Sequence, residues 1–247
     1  MRIYLAGEGH DYVWRDTESY DFCRLKSFYY VKDKDMQDVQ RFSSYMLDSG
    51  AYSTFKDPAT AKHVDWDAYV KGYIACIRKY NIKLFFELDI DAVIGLNKVE
   101  YYRQQVADAT GIMPIVVWHS KRGWAYFERM CEQYDYVALG TTLANAQGVA
   151  IRKNPLVLQK FIATAHRAGA KIHGLGFTSL KYLPLLRFDS VDSTSWLGAR
   201  YGFIYCFTGN NIKQLRKPPG TKLRTREVMR NNFIQWYKFA KYAEAHL

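Results

Sequence analysis

Long apolar runs are missing from this chain of 247 residues. None approaches the roughly 18–20 residues needed to cross a bilayer as a helix, so the sequence offers no membrane span. The start, MRIYLAGEGH, runs straight into strand-like sequence, without the basic flank and apolar stretch of a signal peptide. A soluble, cytoplasmic protein with no membrane partner is the expectation. Cysteine is scarce as well. Cys23, Cys76, Cys131 and Cys206 lie far apart with no CxxC pair, which argues against a disulfide framework and against a sequence-local zinc site. They read as small buried hydrophobes. Internal repeats, linkers and low-complexity stretches are absent, and neither a P-loop nor a Rossmann fingerprint occurs. The one sharp break is Lys217-Pro218-Pro219-Gly220, so the expectation is a single domain over 1–247 with 217–247 as its basic, helical C-terminal extension.

What the chain does have is apolar content, aromatic rings and positive charge. Hydrophobic residues make up 49%, ample for a core, and the length suits one α/β barrel of about 250 residues. The net charge is +11, and aromatics reach 16% with 20 tyrosines. A basic surface attracts phosphate backbones and exposed rings stack on bases, so a nucleic-acid partner fits this composition.

Short β-branched or aromatic runs alternate with helix-period segments, the pattern of βα units on a parallel sheet. Expected strands are Arg2–Ala6, Met46–Ser49, Leu84–Asp89, Met113–Trp118, Tyr136–Leu139, Lys171–Leu175 and Ser190–Ser193, with Phe203–Phe207 as the eighth. Ser27–Val31 is strand-like too, as an added edge or an alternative member. Trp66, Tyr69, Val70, Tyr73, Ile74 and Ile77 recur at helical spacing, as do Phe161, Ile162 and Ala165. The second of these helices opens on Asn154-Pro155, a cap followed by proline in the first turn, and closes at Gly169. Val99–Thr110, Trp124–Gln133 and Arg224–Ala245 complete the helices.

Six expected strands run into polar residues or glycine, the place where α/β barrels keep their reactive groups. Asp48 follows one in LDSGAYS, where it either closes an Asx-turn or aims a carboxylate at the paired N1–H and N2–H donors of guanine. Glu87, Asp89 and Asp91 follow another. Trp118-His119-Ser120 ends a third, Gly140-Thr141-Thr142 a fourth, and His173-Gly174-Leu175-Gly176 a fifth. Asp189 and Asp192 sit in FDSVDSTSW, three apart and so on opposite faces of a strand. Asp192, nearer the strand end, is the better candidate to attack a sugar anomeric carbon. His119 and His173 suit proton transfer, a structural role or an orienting one. The glycines either relieve crowding or let a flat base lie against the backbone.

Taken in order, these motifs resemble the tRNA-guanine transglycosylase superfamily over about residues 1–210. LDSG resembles its DSGG motif, with Ala51 in place of the second glycine. FELD resembles its guanine-reading aspartate, which falls on Asp89. Leu139-Gly140-Thr141 and His173-Gly174-Leu175-Gly176 resemble its glycine segments, and Trp118-His119-Ser120 stands where the family has glutamine. Asp189-Ser190-Val191-Asp192-Ser193 resembles the nucleophile motif, assigning Asp192; an F-D-S register would assign Asp189. The CxCxxC-and-His zinc module of the tRNA enzymes is missing, so the chain looks more like the phage-type DNA-guanine transglycosylases, which also carry an SVDSTSW-like segment.

The resemblance implies a (β/α)8 TIM-type barrel that replaces guanine in DNA with a free 7-deazaguanine (preQ0-like) base, acting in the host cytoplasm if phage-encoded. Asp192 would be the nucleophile and Asp48 the general base. Asp48 and Asp89 would read the guanine edge, helped by His119, Gly140, Thr141, Gly174 and Gly176. An aromatic among Tyr52, Trp118 and Phe177 would stack on its face. No cofactor or metal is required by this chemistry. Lys213, Arg216, Lys217, Lys222, Arg224, Arg226 and Arg230 form the expected phosphate-contacting element. The alternatives are the same exchange on tRNA, or a non-catalytic barrel that only binds nucleic acid.

Overall fold

A computed structural model describes residues 1–7, 17–36, 39–50, 64–140, 146–177 and 179–247. The alternation of short strands with longer helices is what it contains. The strands are β1 (Arg2–Leu5), β2 (Cys23–Ser27), β3 (Ser44–Asp48), β4 (Leu84–Phe85) and β5 (Val116–Trp118). They continue with β6 (Tyr136–Leu139), β7 (Lys171–Gly174), β8 (Ser190–Ser193), β9 (Phe203–Phe207) and β10 (Ile212–Arg216). The helices are α1 (Asp33–Met36), α2 (Trp66–Lys79), α3 (Asp91–Ile94) and α4 (Leu96–Thr110). After them come α5 (Trp124–Gln133), α6 (Ala146–Lys153), α7 (Pro155–Arg167) and α8 (Thr225–His246). The architecture is α/β. No helix among the described residues is long and apolar enough to cross a membrane.

The chain divides into two compact units, Met1–Cys23 with Trp118–Leu247, and Arg24–Val117. In the first unit the strand order is β1-β8-β7-β6, and the pairings β1/β8, β7/β8 and β6/β7 are parallel. Helix α8 packs on β1, and the N-terminal amine of Met1 donates to the Ala243 carbonyl at 3.1 Å. Its aromatic face (Phe233, Trp236 and Phe239) is fully buried, while Arg226 and Arg230 face solvent. This amphipathic split makes the terminal helix part of the core of its unit rather than an appendage. Helix α7 starts as its cap predicts: the Asn154 side chain accepts from the Leu156 and Val157 N–H groups, and Pro155 opens the first turn.

In the second unit β2, β3 and β4 lie in the order β4-β3-β2, and α2 and α4 cover a core of Leu47, Val70, Tyr73, Phe85, Val99 and Tyr102. Tyr73 is buried, and its hydroxyl donates to the carbonyls of Leu47 (3.2 Å) and Phe86 (2.9 Å), tying together the ends of β3 and β4. The regular strand β4 is shorter than its apolar run suggests. Glu87 turns inward, where its Oε1 accepts from the Val117 N–H at 2.7 Å and its Oε2 from Arg103 Nε at 2.6 Å. A side-chain carboxylate thus takes over a role that a ladder carbonyl would fill.

Two strand expectations are corrected. Phe203–Phe207 is not the eighth parallel strand: it pairs antiparallel with Ile212–Arg216 in a separate two-stranded ribbon. Gly202 turns the chain into it with φ +75°, and Asn232 of α8 holds its Tyr205 N–H and Phe203 carbonyl. The strand-like Ser27–Val31 is mostly a 3-10 turn, Phe28–Tyr30, and the strand is the segment before it, Cys23–Ser27. That strand buries Arg24 and Lys26, and charged residues disguise it in the sequence.

Candidate active site

The register of the first unit brings one face of its sheet into polar alignment. Tyr4 lies beside Asp192, and Ser190 beside His173. Period-2 alternation then puts Tyr4, Tyr136, His173, Ser190 and Asp192 on the same side, with Val191 turned to the other. These groups hydrogen-bond in series. The Tyr136 hydroxyl lies 2.5 Å from Ser190 Oγ, which lies 2.5 Å from His173 Nδ1. His173 Nε2 lies 3.2 Å from Asp192 Oδ1, which also accepts the Gly176 N–H at 2.6 Å.

With one ring proton, on the nitrogen that faces the carboxylate, His173 donates through Nε2 and accepts at Nδ1 from Ser190, which in turn accepts from Tyr136. Burial holds the Tyr136 phenol well above its usual pKa, keeping it a donor. Each bond therefore points its donor toward the carboxylate. Asp192 has a tenth of its side chain exposed, and only Oδ1 is engaged; Oδ2 has no hydrogen-bond partner among the described residues.

Asp189 is placed differently. Its carboxylate accepts from the Ile172 N–H at 2.8 Å and meets His166 Nε2 at 3.0 Å, at the opposite end of the strand pair. That is a structural arrangement joining β8 to β7 and α7.

In the second unit, Asp48 is the last residue of β3, and its Oδ2 accepts from the Gly50 N–H at 3.2 Å, the Asx-turn geometry. Gly50 has φ +74°, and a Cβ there would stand 2.6 Å from the Tyr29 backbone nitrogen. Only glycine fits, which accounts for the DSG sequence. Tyr69 donates to the Ser49 carbonyl at 2.6 Å, and burial together with the Asp48 charge raises its phenol pKa. Asp89 is half-buried between Leu88 and the first turn of α3.

No protein-family model matches this chain, and no curated protein matches it.

The remaining expected base-binding residues divide by burial. Trp118 is 3% exposed, its ring packed against Phe127 and Phe161 and its Nε1–H given to the Gly123 carbonyl at 2.8 Å. Phe177 is 1% exposed, with its ring against Phe188. Neither can serve as the stacking platform, a correction that follows from apolar rings seeking the core. Gly174 is buried where a Cβ would meet Phe177 at 3.0 Å and Phe188 at 3.3 Å, so its small size serves packing rather than ligand approach. Gly176 is exposed with φ +56°. Gly140 is buried, and its carbonyl meets His119 Nδ1 at 2.9 Å, which fixes the proton on that nitrogen in the neutral ring. Tyr52 and Thr141 lie outside the described residues.

All seven residues of the basic set, Lys213, Arg216, Lys217, Lys222, Arg224, Arg226 and Arg230, are exposed. Arg224 pairs with Glu227 at 3.1 Å, Lys217 donates to the Thr221 carbonyl at 3.1 Å, and Arg216 lies over the Phe203 ring. They follow one another along β10, the turn after it and the start of α8. Sequence reading missed Tyr136, Ser190 and Arg152. For Ser190 a signal was present, since it lies two residues before Asp192 and so shares its face.

Proposed function

We propose that this protein is a base-exchanging transglycosylase that replaces guanine in DNA with a 7-deazaguanine base through a covalent aspartyl-glycosyl intermediate. The observation that carries the reading is the state of Asp192: one carboxylate oxygen is held by a backbone N–H and an imidazole, and the other has no hydrogen-bond partner among the described residues. A nucleophilic carboxylate needs that asymmetry, because a held oxygen fixes the orientation while a free one attacks.

In this proposal the target nucleotide is extruded from the duplex, since C1′ is shielded in the stack. Asp192 Oδ2 attacks C1′, the C1′–N9 bond breaks, and guanine leaves with the bonding pair and takes up a proton. The incoming 7-deazaguanine loses its N9 proton, attacks the same C1′ and displaces Asp192. Two inversions retain configuration. His173, donating to Oδ1, steadies the carboxylate as nucleophile and as leaving group. Asp48 keeps the base-reading and proton-accepting part implied by the resemblance, and Asp89 a base-reading part; Asp48 ends β3, Asp89 follows β4, and both are half-buried in the second unit. The closed (β/α)8 barrel belongs to the same proposal, supported by parallel strands alternating with helices. The exposed basic set supplies phosphate contacts.

The test is incorporation of labelled guanine and preQ0 into duplex DNA and into tRNA, by the unaltered protein and by Asp192→Ala. Label entering DNA alone, and lost in the variant, supports the reading. Label entering tRNA keeps the chemistry and moves the substrate. Incorporation that survives in Asp192→Ala removes Asp192 as nucleophile, and no label in either polymer removes the enzymatic reading.

A further inference from the structure

Arg152 is the penultimate residue of α6, and no motif in the sequence draws attention to it. It is half-buried, its guanidinium lies 5.5 Å from the centre of the Phe177 ring, and one of its terminal nitrogens donates to the Gly176 carbonyl. The same glycine gives its N–H to Asp192. One residue therefore separates this cation from the candidate nucleophile. Among the described residues no carboxylate stands within ion-pair distance of Arg152. Burial presses its pKa down, and the charge of Asp192 acts the other way.

A guanidinium has five N–H donors in a planar fork, and a partly desolvated one that spends a donor on a single carbonyl is left with capacity for an anion. Gly176 keeps that capacity uncovered. It is exposed, and a Cβ built on it would stand 3.9 Å from Arg152 Nη1, so any larger side chain there would begin to cover the fork. A fixed cation beside the attacking carboxylate but not paired with it is placed to meet the group a nucleotide always carries near C1′, its phosphate.

We propose that Arg152, kept open by Gly176, is the seat for one phosphoryl group of the nucleotide that Asp192 attacks. This rests on the transglycosylase reading for the identity of the nucleotide, but the seat is a binding property and is measured apart from turnover. A phosphoryl oxygen pair engages the free edge of the fork, which fixes the sugar between the phosphate and the carboxylate and holds C1′ toward Oδ2. Asp192 itself repels phosphate, so the seat confines the anion to the Arg152 side.

The experiment compares equilibrium binding of deoxyguanosine, its 5′-monophosphate and its 3′-monophosphate to the unaltered protein, Arg152→Gln and Arg152→Lys. Glutamine removes both the charge and the reach of the fork, whereas lysine keeps a charged donor of similar reach, so a merely structural arginine predicts that nucleoside and monophosphate binding change alike in each variant. The expected result is that one monophosphate binds about tenfold tighter than the nucleoside, that the gap closes in Arg152→Gln, and that Arg152→Lys keeps part of it. No gap in the unaltered protein, or the same gap in Arg152→Gln, overturns the proposal. Base exchange without a gap would sink the seat and keep the transglycosylase reading. A gap without base exchange would do the reverse.

Discussion

Two buried carboxylates, one in each unit, look alike in the sequence and differ in what is left of them after folding. Glu87 spends both oxygens, one on Arg103 and one on the Val117 N–H, and is fully enclosed. Asp192 spends one oxygen on His173 and Gly176, and its other oxygen has no hydrogen-bond partner among the described residues. Burial alone does not tell these two acids apart; how their hydrogen bonds are spread over the two carboxylate oxygens does. A carboxylate engaged through both oxygens is tied to the chain on both sides, whereas one engaged through a single oxygen keeps its orientation with the second oxygen's acceptor sites unspent.

The largest expected effect tests that contrast directly. Asp192→Asn should lower base exchange by roughly three orders of magnitude or more, with the thermal midpoint nearly unchanged, as measured by label incorporation beside a melting curve. A variant that melts far lower would place Asp192 with Glu87 as a structural acid. The converse substitution, Glu87→Ala, leaves Arg103 buried without its carboxylate and should cost about 3–5 kcal/mol in a urea titration. A loss below about 1 kcal/mol would break the comparison from the other side.

Neutral buried groups sharpen it further. Burial raises the Cys76 thiol from 9.0 to about 11 and the Cys131 thiol from 9.0 to about 12. Because the folded pKa exceeds the unfolded one, the unfolded chain releases its protons first on alkalisation. The stability they contribute is complete below about pH 9 and is lost as pH rises through these values. Urea midpoints should therefore fall between pH 9 and 11, and the double substitution Cys76→Ala, Cys131→Ala should flatten that slope while lowering stability at every pH. An unchanged slope would assign the alkaline loss to the buried tyrosines, whose pKa values are also raised. The smallest effect concerns surface charge. Removing Arg224 and Arg226 together should weaken DNA binding and reduce the slope of log affinity against log salt by roughly 2, about one per lost phosphate contact. A slope that stays the same takes this stretch out of the interface.

Much of the helical structure was legible because its signals are local. The helix Trp124–Gln133 follows from its apolar spacing, and α7 starts where Asn154 and Pro155 say it should. The strands were less legible where burial inverts the usual chemistry. Arg24 and Lys26 made Cys23–Ser27 look like a surface segment, and the aromatic Phe203–Phe207 passed for a sheet member when α8 and β10 were its true neighbours. Of the candidate site residues, Asp192 is singled out by its motif and strand-end position, and the structure adds its partners His173 and Gly176. Trp118 and Phe177 were given to a ligand when the core had claimed them, because an aromatic ring at a strand end reads the same in either role.

The sequence by itself determined which segments alternate between strand and helix, where caps and glycine turns interrupt them, and that Asp189 and Asp192 face opposite sides. These follow from backbone periodicity and local hydrogen bonding, which act over a few residues. Only the tertiary structure decided which acid is spent and which is open, that Tyr136, Ser190 and His173 stand in line behind Asp192, and that Arg152 stands beside it. Those facts depend on parallel strands whose partners lie far apart along the chain, and no local signal sets which lone pair another strand will fill.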